Sequence, residues 1–390
     1  MVSHYPISEK LRPFGTTVFS EMTQLATQHS AINLAQGFPD FDGPPEIIEA
    51  ASRALHSGEN QYSRSLGHPE LVEAIADGVT ANYGLKYDPF QEVGVHAGAT
   101  EAIAAALIGL LNPGDEVILF EPFYDSFPAC VALAGAVPRY CTLRFPTFEL
   151  DMDELARLFN PRTRLLLINT PHNPTGKVFT REELQSIAEL CCRHDVGVLS
   201  DEVYEHITFA GAQHIPMATL EEMRERTLTI SSSGKTYSFT GWKIGWVTGP
   251  KDMVAAAQAA HQFLTFCAAT PLQIAIAAAL RRFAAGYYTE LRREYQERRD
   301  VMLTALTDSG FQPVAPLGTY FILADFHKLS QEDDRTFAHR LTKEGGVAAV
   351  PPSVFYKVNR QEGNRLLRFA FSKRVETLRE AGRRLRAFCS

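Results

Sequence analysis

The sequence predicts an α/β protein with a mostly parallel sheet between helices, joined to a smaller α+β domain. Two observations predict this fold class. From about residue 44 to 250, helical patterns alternate with short apolar runs bounded by Gly, Pro and Asp, which is typical of a parallel sheet with helices on both faces. After residue 250 the pattern changes to long helices, followed by short mixed elements of the kind found in small α+β domains.

The first elements of the larger part are defined by helix start and stop residues. Pro44 and Pro45 predict the start of a helix over EIIEAASRAL, and Gly58 predicts its end. In HPELVEAIADGVTANYG, apolar residues recur every four positions and predict a surface helix. A largely apolar helix over TEAIAAALIGLL then precedes the buried strand EVILF. Three further strands are predicted, each ending in polar residues: RLLLINT, VGVLSDE and TLTISS.

The second part of the chain begins with an alanine-rich helix, DMVAAAQAAHQFL, and a charged stretch over residues 270–309 that is expected to connect two domains. The predicted division has an N-terminal segment over residues 1–43 that packs with the small domain. A large cofactor-binding domain is expected over residues 44–285, and a small C-terminal domain over residues 286–390.

Composition and charge favour a globular enzyme with a small-molecule substrate. The 390 residues are 45% apolar, and the formal net charge of −7 offers no basic surface for nucleic acid or an anionic membrane. The six cysteines form no CxxC pair and no Cys/His metal spacing, so we expect no metal and a reducing compartment. No apolar signal core and no stretch of eighteen apolar residues is present, and we therefore expect a cytoplasmic protein.

Four polar residues follow predicted strands and indicate a common site. Asn173 lies in NTPHNPTGK, Asp201 and Tyr204 in LSDEVY, and Lys235 in SSSGK. The carboxyl ends of parallel strands meet at one edge of a sheet, where ligands of open α/β sheets bind. An amine, a carboxylate, a phenol and an amide together suit pyridoxal 5′-phosphate, whose aldehyde reacts with lysine and whose ring nitrogen needs a carboxylate. The sequence therefore predicts this cofactor.

Longer motifs resemble those of one enzyme family. INLAQGFPDFDGPPEI, NQYSRSLGHPEL, EPFYDSF and SGKTYSFTGWKIGW are similar to segments of the fold-type I, class I/II aminotransferases, in the family's order and over nearly the whole chain. Within that family the sequence resembles the kynurenine/methionine/glutamine transaminase subgroup. The resemblance implies a mixed, mostly parallel seven-stranded sheet and a homodimer. It also implies transfer of an amino group from an apolar, aromatic or sulfur-containing L-amino acid to a 2-oxo acid.

The resemblance also implies roles for residues around the cofactor. Lys235 would bind the cofactor covalently and, once displaced, move the substrate Cα proton. Asp201 would keep the ring nitrogen protonated, and Asn173 and Tyr204 would donate hydrogen bonds to the ring oxygen. Tyr124 would stack on the ring. The alternative interpretations are a solvated surface lysine, a helix-capping aspartate, a turn at NPTG and a core tyrosine.

The phosphate of the cofactor requires hydrogen-bond donors and positive charge. Gly98, Ala99 and Thr100 directly precede an apolar helix, whose N-terminal N–H groups and dipole suit a dianion. By resemblance, Ser232 and Lys243 would also bind the phosphate, although the family commonly has arginine at the position of Lys243. Lysine keeps the charge but lacks the bidentate fork. Tyr62 would reach the phosphate of the neighbouring subunit, so that both chains would build each site.

Substrate recognition is predicted to depend on one arginine. Arg368 in LLRFAFS matches the family's arginine, and its planar fork suits an α-carboxylate. Asn173 and the backbone of Gly37 would assist. The candidates for the side-chain pocket, each equally compatible with a core position, are Phe14, Val18, Leu66, Phe266 and Tyr320. The subgroup often has an aromatic residue in place of Val18 and histidine in place of Cys267, which argues against a kynurenine preference.

Other functions remain as alternatives at this point. A carbon–sulfur β-lyase uses the same cofactor and fold, and release of pyruvate and ammonia from a cysteine conjugate distinguishes it from a transaminase. An effector-binding module without catalysis would carry an additional DNA-binding domain and a basic surface. A nicotinamide-dependent dehydrogenase would require a GxGxxG motif after a strand, and this sequence has none.

Overall fold

The computed structural model describes residues 7–283 and 285–389. The helices are α1 (Val18–Gln28), α2 (Pro45–His56), α3 (Pro69–Tyr83), α4 (Ala99–Leu110), α5 (Ser126–Leu133), α6 (Met152–Leu158), α7 (Arg181–Arg193), α8 (Ser233–Thr236), α9 (Lys251–Leu264), α10 (Thr270–Arg282), α11 (Ala285–Asp308), α12 (Asp334–Glu344) and α13 (Val375–Cys389). The strands are β1 (Ile32–Asn33), β2 (Val93–His96), β3 (Glu116–Glu121), β4 (Val137–Thr142), β5 (Thr163–Asn169), β6 (Gly197–Asp201), β7 (Thr227–Ser232), β8 (Gly245–Thr248), β9 (Gln312–Pro313), β10 (Phe321–Asp325), β11 (Val347–Ala348) and β12 (Leu366–Ala370).

A seven-stranded sheet forms the centre of the larger part, in the order β2-β8-β7-β6-β5-β3-β4. The strands from β7 to β4 pair in parallel, whereas β8 runs antiparallel to both of its neighbours. The central strands are almost wholly buried, as expected for a sheet covered by helices on both faces. The predicted α/β class with a mixed, mostly parallel seven-stranded sheet is confirmed.

The helices of the larger part begin and end where the sequence indicates. Pro45 and Pro69 occupy the first positions of α2 and α3, where the missing proline N–H has no helical partner to lose. Gly84 ends α3 in the left-handed conformation, with φ of 73°, and donates its N–H to the carbonyl of Thr80. One group of helices, α2, α3 and α10, packs together, and α4 packs along α9.

The smaller part of the structure is built from both ends of the chain. A three-stranded antiparallel sheet has the order β12-β10-β9, and β1 pairs in parallel with β11. Helix α1 contacts α12, and α11 packs along α13. These contacts support the proposed packing of the N-terminal segment with the C-terminal domain. The exact division at residues 43 and 285 stays a prediction, and residues 1–6, 284 and 390 lie outside the described part.

The structure also bears on membrane-spanning helices and on the state of the cysteines. Within residues 7–283 and 285–389, no helix is both long enough and apolar enough to cross a membrane. All six cysteines are free thiols, and three of them, Cys130, Cys141 and Cys191, are buried. These three cysteines therefore pack as small apolar side chains.

Candidate active site

A cavity of about 250 Å³ opens at the carboxyl ends of β5, β6 and β7. It is bounded on one side by the first turn of α4 and on the other by β10 and β12 of the smaller part. Twelve of the predicted site residues line it: Gly37, Gly98, Ala99, Thr100, Tyr124, Asn173, Asp201, Tyr204, Ser232, Lys235, Lys243 and Arg368. Val18, Tyr62 and Phe266 are not among the lining residues.

Lys235 lies in the short helix α8, directly after β7, and its amine is enclosed by protein. The Nζ atom is 5.6 Å from the ring centroid of Tyr204 and 5.5 Å from that of Tyr320. Burial lowers the pKa of Lys235, an effect opposed by Tyr124 and Asp201. A lowered pKa raises the fraction of neutral amine, which is the form that attacks an aldehyde.

Asp201 is the last residue of β6 and is almost completely buried. Its carboxylate accepts a hydrogen bond of 3.3 Å from the N–H of Val203. Burial raises the pKa of Asp201 to about 7, while this hydrogen bond and Lys235 act in the opposite direction. A buried carboxyl with so little compensation favours a ligand that brings a proton donor or a cation to it.

Tyr204 lines the cavity and packs beside Tyr320. The hydroxyl of Tyr320 donates a hydrogen bond to the carbonyl of Gly37 at 2.6 Å. The two tyrosine rings meet edge to face at 5.2 Å between centroids. Burial raises the pKa of Tyr204 well above its usual value, so it is a neutral donor. A neutral phenol hydroxyl can donate one hydrogen bond to a ligand.

The first turn of α4 lines one corner of the cavity. Gly98 precedes the helix with φ of 83° and offers no capping side chain, so the first N–H groups of the helix remain available. A Cβ atom on Gly98 would lie 3.2 Å from Nζ of Lys243, and one on Gly245 would lie 2.6 Å from the N atom of Ala99. The two glycines therefore allow β8 and the Lys243 ammonium to approach this turn closely.

Arg368 is contributed by β12 and is 1% exposed. Nη1 donates to Oδ1 of Asn173 at 3.0 Å and Nη2 to the carbonyl of Ala35 at 2.9 Å, but Nε is buried without a partner among the described residues. The guanidinium lies over the ring of Phe321, 4.1 Å from its centroid. Burial lowers the pKa of Arg368 to about 10, so the group stays cationic at neutral pH. A buried arginine with an unpaired donor is suited to a carboxylate ligand.

The other predicted residues lie away from the cavity. Tyr62 is 83% exposed and Phe266 46% exposed, and their rings pack against each other at 5.1 Å between centroids. Val18 is buried in the core of the smaller part, whereas its neighbour Phe19 lines the cavity. Phe14, Leu66 and Tyr320 are not lining residues either. Their predicted roles stay predictions, and Tyr320 packs edge to face against Tyr204.

Sequence reasoning missed several residues that line the cavity. The most informative is Asn169, the last residue of β5, whose amide donates to the carbonyl of Asp201 at 2.9 Å and accepts from the N–H of Asn173 at 2.7 Å. Its signal was present, because Asn169 ends the apolar run RLLLINT. The others are Phe19, Gln36, Ile103, Val203, Gly234, Thr240, Ile244 and Phe321.

Comparisons with known proteins agree with this geometry. The model of the family "Aminotransferase class I and II" matches residues 29–385. A probable N-succinyldiaminopimelate aminotransferase of Mycobacterium tuberculosis is 47% identical, with 96% of this chain and 97% of the relative covered. The methionine aminotransferase of Escherichia coli is 42% identical, with 97% of each covered, and a kynurenine–oxoglutarate transaminase of Dictyostelium discoideum is 38% identical, with 96% and 94% covered.

Solved structures share this fold at a similar level of sequence identity. The structure of N-succinyldiaminopimelate aminotransferase from Mycobacterium tuberculosis has a TM-score of 0.95 at 46% identity, covering 98% of this chain and 100% of that one. A family match over most of the chain and relatives of this identity agree on one enzyme class. The chain therefore belongs to the class I and II aminotransferases, which transfer an amino group between an amino acid and a 2-oxo acid with pyridoxal 5′-phosphate as cofactor.

Proposed function

We propose that the amino donor is an L-amino acid with an apolar, aromatic or sulfur-containing side chain. The observation that carries this proposal is the character of the cavity wall near Arg368, where Phe19 and Phe321 present aromatic surface. The cations that line the described cavity are Lys235, Lys243 and Arg368. The roles proposed here use all three, which leaves no cation in the described lining to bind an acidic side chain of the donor. The names of the methionine and kynurenine relatives support a donor of this class.

The residues of the cavity fit pyridoxal 5′-phosphate. The phosphate suits the N–H groups of the α4 first turn, together with Ser232 and Lys243. The protonated ring nitrogen suits Asp201, whose buried carboxyl lacks a cationic hydrogen-bond partner in the part of the chain described. The ring oxygen suits Asn173 and Tyr204, and the ring face suits Tyr124. Each polar group of the cofactor thus has a matching group in one cavity.

We propose that Lys235 is the catalytic residue. When bound, the cofactor supplies an aldehyde carbon that receives the amino group and a ring that accepts the electrons left at the substrate Cα. With the cofactor bound, Lys235 would accept the proton from the substrate Cα and release it again to complete the transfer. Its lowered pKa suits this role, because a neutral amine is required to accept the proton. Asp201 would stabilise a protonated ring nitrogen of the bound cofactor.

Arg368 is proposed to orient the substrate. Its unpaired Nε and one guanidinium nitrogen can bind the α-carboxylate, and Asn173 holds the other side of the guanidinium. Gly37 faces the cavity, and a Cβ atom there would lie 2.6 Å from the Phe321 ring, so only glycine leaves the backbone within reach of the carboxylate. Fixing the carboxylate directs Cα toward Lys235.

We also propose that the enzyme is a homodimer that shares its sites between chains. Tyr62 and Phe266 form an exposed aromatic pair outside the cavity, next to Phe263 and Leu264, which are 86% and 54% exposed. Such a concentration of exposed apolar surface supports a contact with a second copy of the chain. In that contact Tyr62 would complete the phosphate site of its neighbour, and Phe266 would contribute to the neighbour's substrate pocket.

The site of action is proposed to be the cytoplasm. All six cysteines are free thiols, and the buried Cys141 on β4 and Cys191 on α7 pack in the core. Free thiols in these positions are typical of proteins kept in a reducing compartment.

The test is the single half-reaction of the cofactor-loaded enzyme. L-methionine, L-phenylalanine, L-kynurenine, L-glutamine, L-aspartate and N-succinyl-L,L-diaminopimelate are mixed separately with the enzyme, and loss of the lysine-bound cofactor absorbance is followed. Methionine or an aromatic donor is expected to react at least tenfold faster than aspartate. Faster reaction with aspartate or the succinylated donor contradicts the proposed donor class.

Two variants check the proposed roles in the same assay. Lys235→Ala is expected to lose the lysine-bound absorbance and nearly all turnover, while the matched control Lys328→Ala, at an exposed position, retains both. An active, coloured Lys235→Ala variant contradicts the assignment. Release of pyruvate and ammonia from a cysteine conjugate, faster than amino transfer from any donor, would favour the β-lyase alternative.

A further inference from the structure

We propose that Glu101 and His261 are positioning residues for the cofactor phosphate, because they hold the first turn of α4 from behind with its N–H groups facing the phosphate. The inference rests on the proposed phosphate site. Neither side chain lines the cavity, so both would act through the backbone of residues 98–100. Three observations carry it: the missing cap at Gly98, the reach of Glu101 back along the chain, and the attachment of Glu101 to α9.

The start of α4 lacks the usual cap. Ser, Thr, Asp or Asn at this position would bind the free N–H groups of the first turn with its own side chain. Gly98 has no side chain and leaves these N–H groups for an anion. The same absence leaves the turn without the local hydrogen bond that normally fixes its geometry. Another group must therefore hold it.

Glu101 supplies that restraint. It is the third residue of α4, and its Oε2 atom accepts a hydrogen bond of 3.0 Å from the N–H of Ala97, the residue before Gly98. The bond resembles the returning half of a capping box, in which a glutamate at this position bonds to the backbone before the helix. It spans Gly98 and uses none of the N–H groups of residues 98–100. The turn is thus closed on the side away from the cavity.

His261 fixes the position of the Glu101 side chain. It is completely buried on α9, and its Nδ1 atom lies 3.0 Å from both carboxylate oxygens of Glu101. A carboxylate accepts only, so Nδ1 carries the hydrogen. Helix α9 is a rigid support, because α4 approaches it closely at Gly109, where a Cβ atom would lie 2.0 Å from the carbonyl oxygen of Ala256. The pair thereby connects the phosphate corner to a packed helix.

The pair also solves an electrostatic problem. A carboxylate in the first turn of α4 lies close to the proposed position of a phosphate dianion, which it would repel. The hydrogen bonds from His261 and Ala97 hold the Glu101 oxygens on the far side of the turn. His96 packs against His261, with 4.6 Å between ring centroids, and its carbonyl accepts from the N–H of Gly98 at 2.7 Å. The contacts of Glu101 with Ala97 and of His96 with Gly98 thus meet at the proposed phosphate turn.

The test compares two ligands that differ only in the phosphate. Dissociation constants of pyridoxal 5′-phosphate and of pyridoxal are measured for the cofactor-free wild type and for His261→Phe, which removes the donor. Without this donor, the first turn of α4 is expected to lose one charge-assisted hydrogen bond to the phosphate. Binding of pyridoxal phosphate should then weaken by about tenfold or more. Pyridoxal binding is expected to change less than about twofold. The ³¹P resonance of the bound phosphate is expected to shift in the same variant.

Three further variants make the test specific. His261→Asn keeps an N–H donor near the position of Nδ1 and is expected to recover most of the affinity. Glu101→Gln keeps one acceptor and is expected to lie between wild type and His261→Phe, and it serves if His261→Phe does not fold. The matched control is Glu154→Gln, since Glu154 likewise accepts from a backbone N–H, that of Thr142 at 2.8 Å, and from an arginine, but far from the cavity.

Four results would overturn the inference. One is an unchanged affinity for pyridoxal phosphate in both His261→Phe and Glu101→Gln. The second is an equal loss for both ligands, which indicates a general structural role. The third is one zinc or other metal ion per purified chain that is lost in His261→Phe, since ligand atoms of His96, Glu101 and His261 lie within 4.8 Å of one another. Failure of His261→Asn to recover any affinity is the fourth. If wild type binds pyridoxal as tightly as its phosphate, the proposed phosphate site itself fails.

Discussion

Replacing Asp201 with asparagine should stabilise the cofactor-free protein at alkaline pH. Burial raises the pKa of this carboxyl from 3.8 to about 7 in the folded chain. A carboxyl with a raised pKa binds its proton more tightly in the folded state than in the unfolded state. The carboxyl therefore does not lower the free energy of unfolding below pH 3.8, and it lowers this free energy increasingly as the pH rises toward 7. By pH 8 the difference of about three pKa units corresponds to roughly 4 kcal/mol of lost stability.

Asparagine removes this penalty but also changes one hydrogen bond. The Val203 N–H donates to Oδ1 of Asp201 at 3.3 Å, and the amide oxygen of asparagine can accept the same bond at a net loss of about 1 kcal/mol or less. The variant should therefore be about 3 kcal/mol more stable than wild type at pH 8. At pH 4.5, where the wild-type carboxyl is protonated in the folded state, the difference should fall to about 1 kcal/mol or less.

The assay is urea unfolding of the cofactor-free proteins at the two pH values, followed by circular dichroism at one protein concentration. The exposed Asp77 provides the matched control, and Asp77→Asn should change stability by less than about 0.5 kcal/mol at both pH values. An Asp201→Asn protein that is equally or less stable than wild type at pH 8 would refute the reasoning. The same variant should bind pyridoxal phosphate more weakly, since a neutral amide does not stabilise a protonated ring nitrogen.

Three further predictions concern the substrate side and the dimer. Arg368→Lys should lower kcat/KM for amino acid donors by about tenfold to a hundredfold, because lysine lacks the forked donor set of arginine. The control Arg139→Lys breaks a bidentate bond to Glu116 far from the cavity and should leave kcat/KM unchanged. A change below threefold in Arg368→Lys contradicts the assigned role. Lys373→Met should raise KM more than it lowers kcat. The reason is that Nζ of Lys373 donates to the carbonyl of Phe38 at 2.6 Å and so holds the loop that carries Gly37. An unchanged KM would show that this loop does not contribute to donor binding. Mixing inactive Tyr62→Ala and Lys235→Ala chains should restore about a quarter of wild-type activity, because the mixed dimer contains one complete site; a mixture without activity would place Tyr62 outside the neighbour's site.

The cofactor side of the cavity was predictable because it is built at strand ends. Asn173, Asp201 and Lys235 each follow an apolar run that ends abruptly in polar residues, and parallel strands bring such ends to one edge. The same reasoning should have included Asn169, which ends its own strand β5. The uncapped start of α4 was predictable for a related reason, since Gly98 stands between a buried strand and an apolar helix.

The donor side depends on contacts that no local pattern contains. Arg368 meets Ala35 and Asn173 across separations of 333 and 195 residues. The choice between Val18 and Phe19 is a matter of helix rotation, because adjacent residues on a helix point about 100° apart. Val18 therefore faces the core of the smaller part while Phe19 faces the cavity. Only the packing of α1 against the smaller part determines which of the two is exposed to substrate.

Burial places three charged groups of the cavity in unfavourable states at once. It raises the pKa of Asp201 and lowers those of Lys235 and Arg368, so each group is less stable charged here than in water. A ligand with a positive ring nitrogen relieves the penalty at Asp201 directly. A carboxylate that binds Arg368 relieves the penalty at that residue. Cofactor and substrate binding should therefore stabilise the folded chain beyond what their contact area provides. The same burial lowers the pKa of Lys235 and so favours the neutral amine that reacts, whereas Tyr124 and Asp201 oppose this shift. The unfavourable burial of these charges therefore serves the proposed chemistry of the cavity.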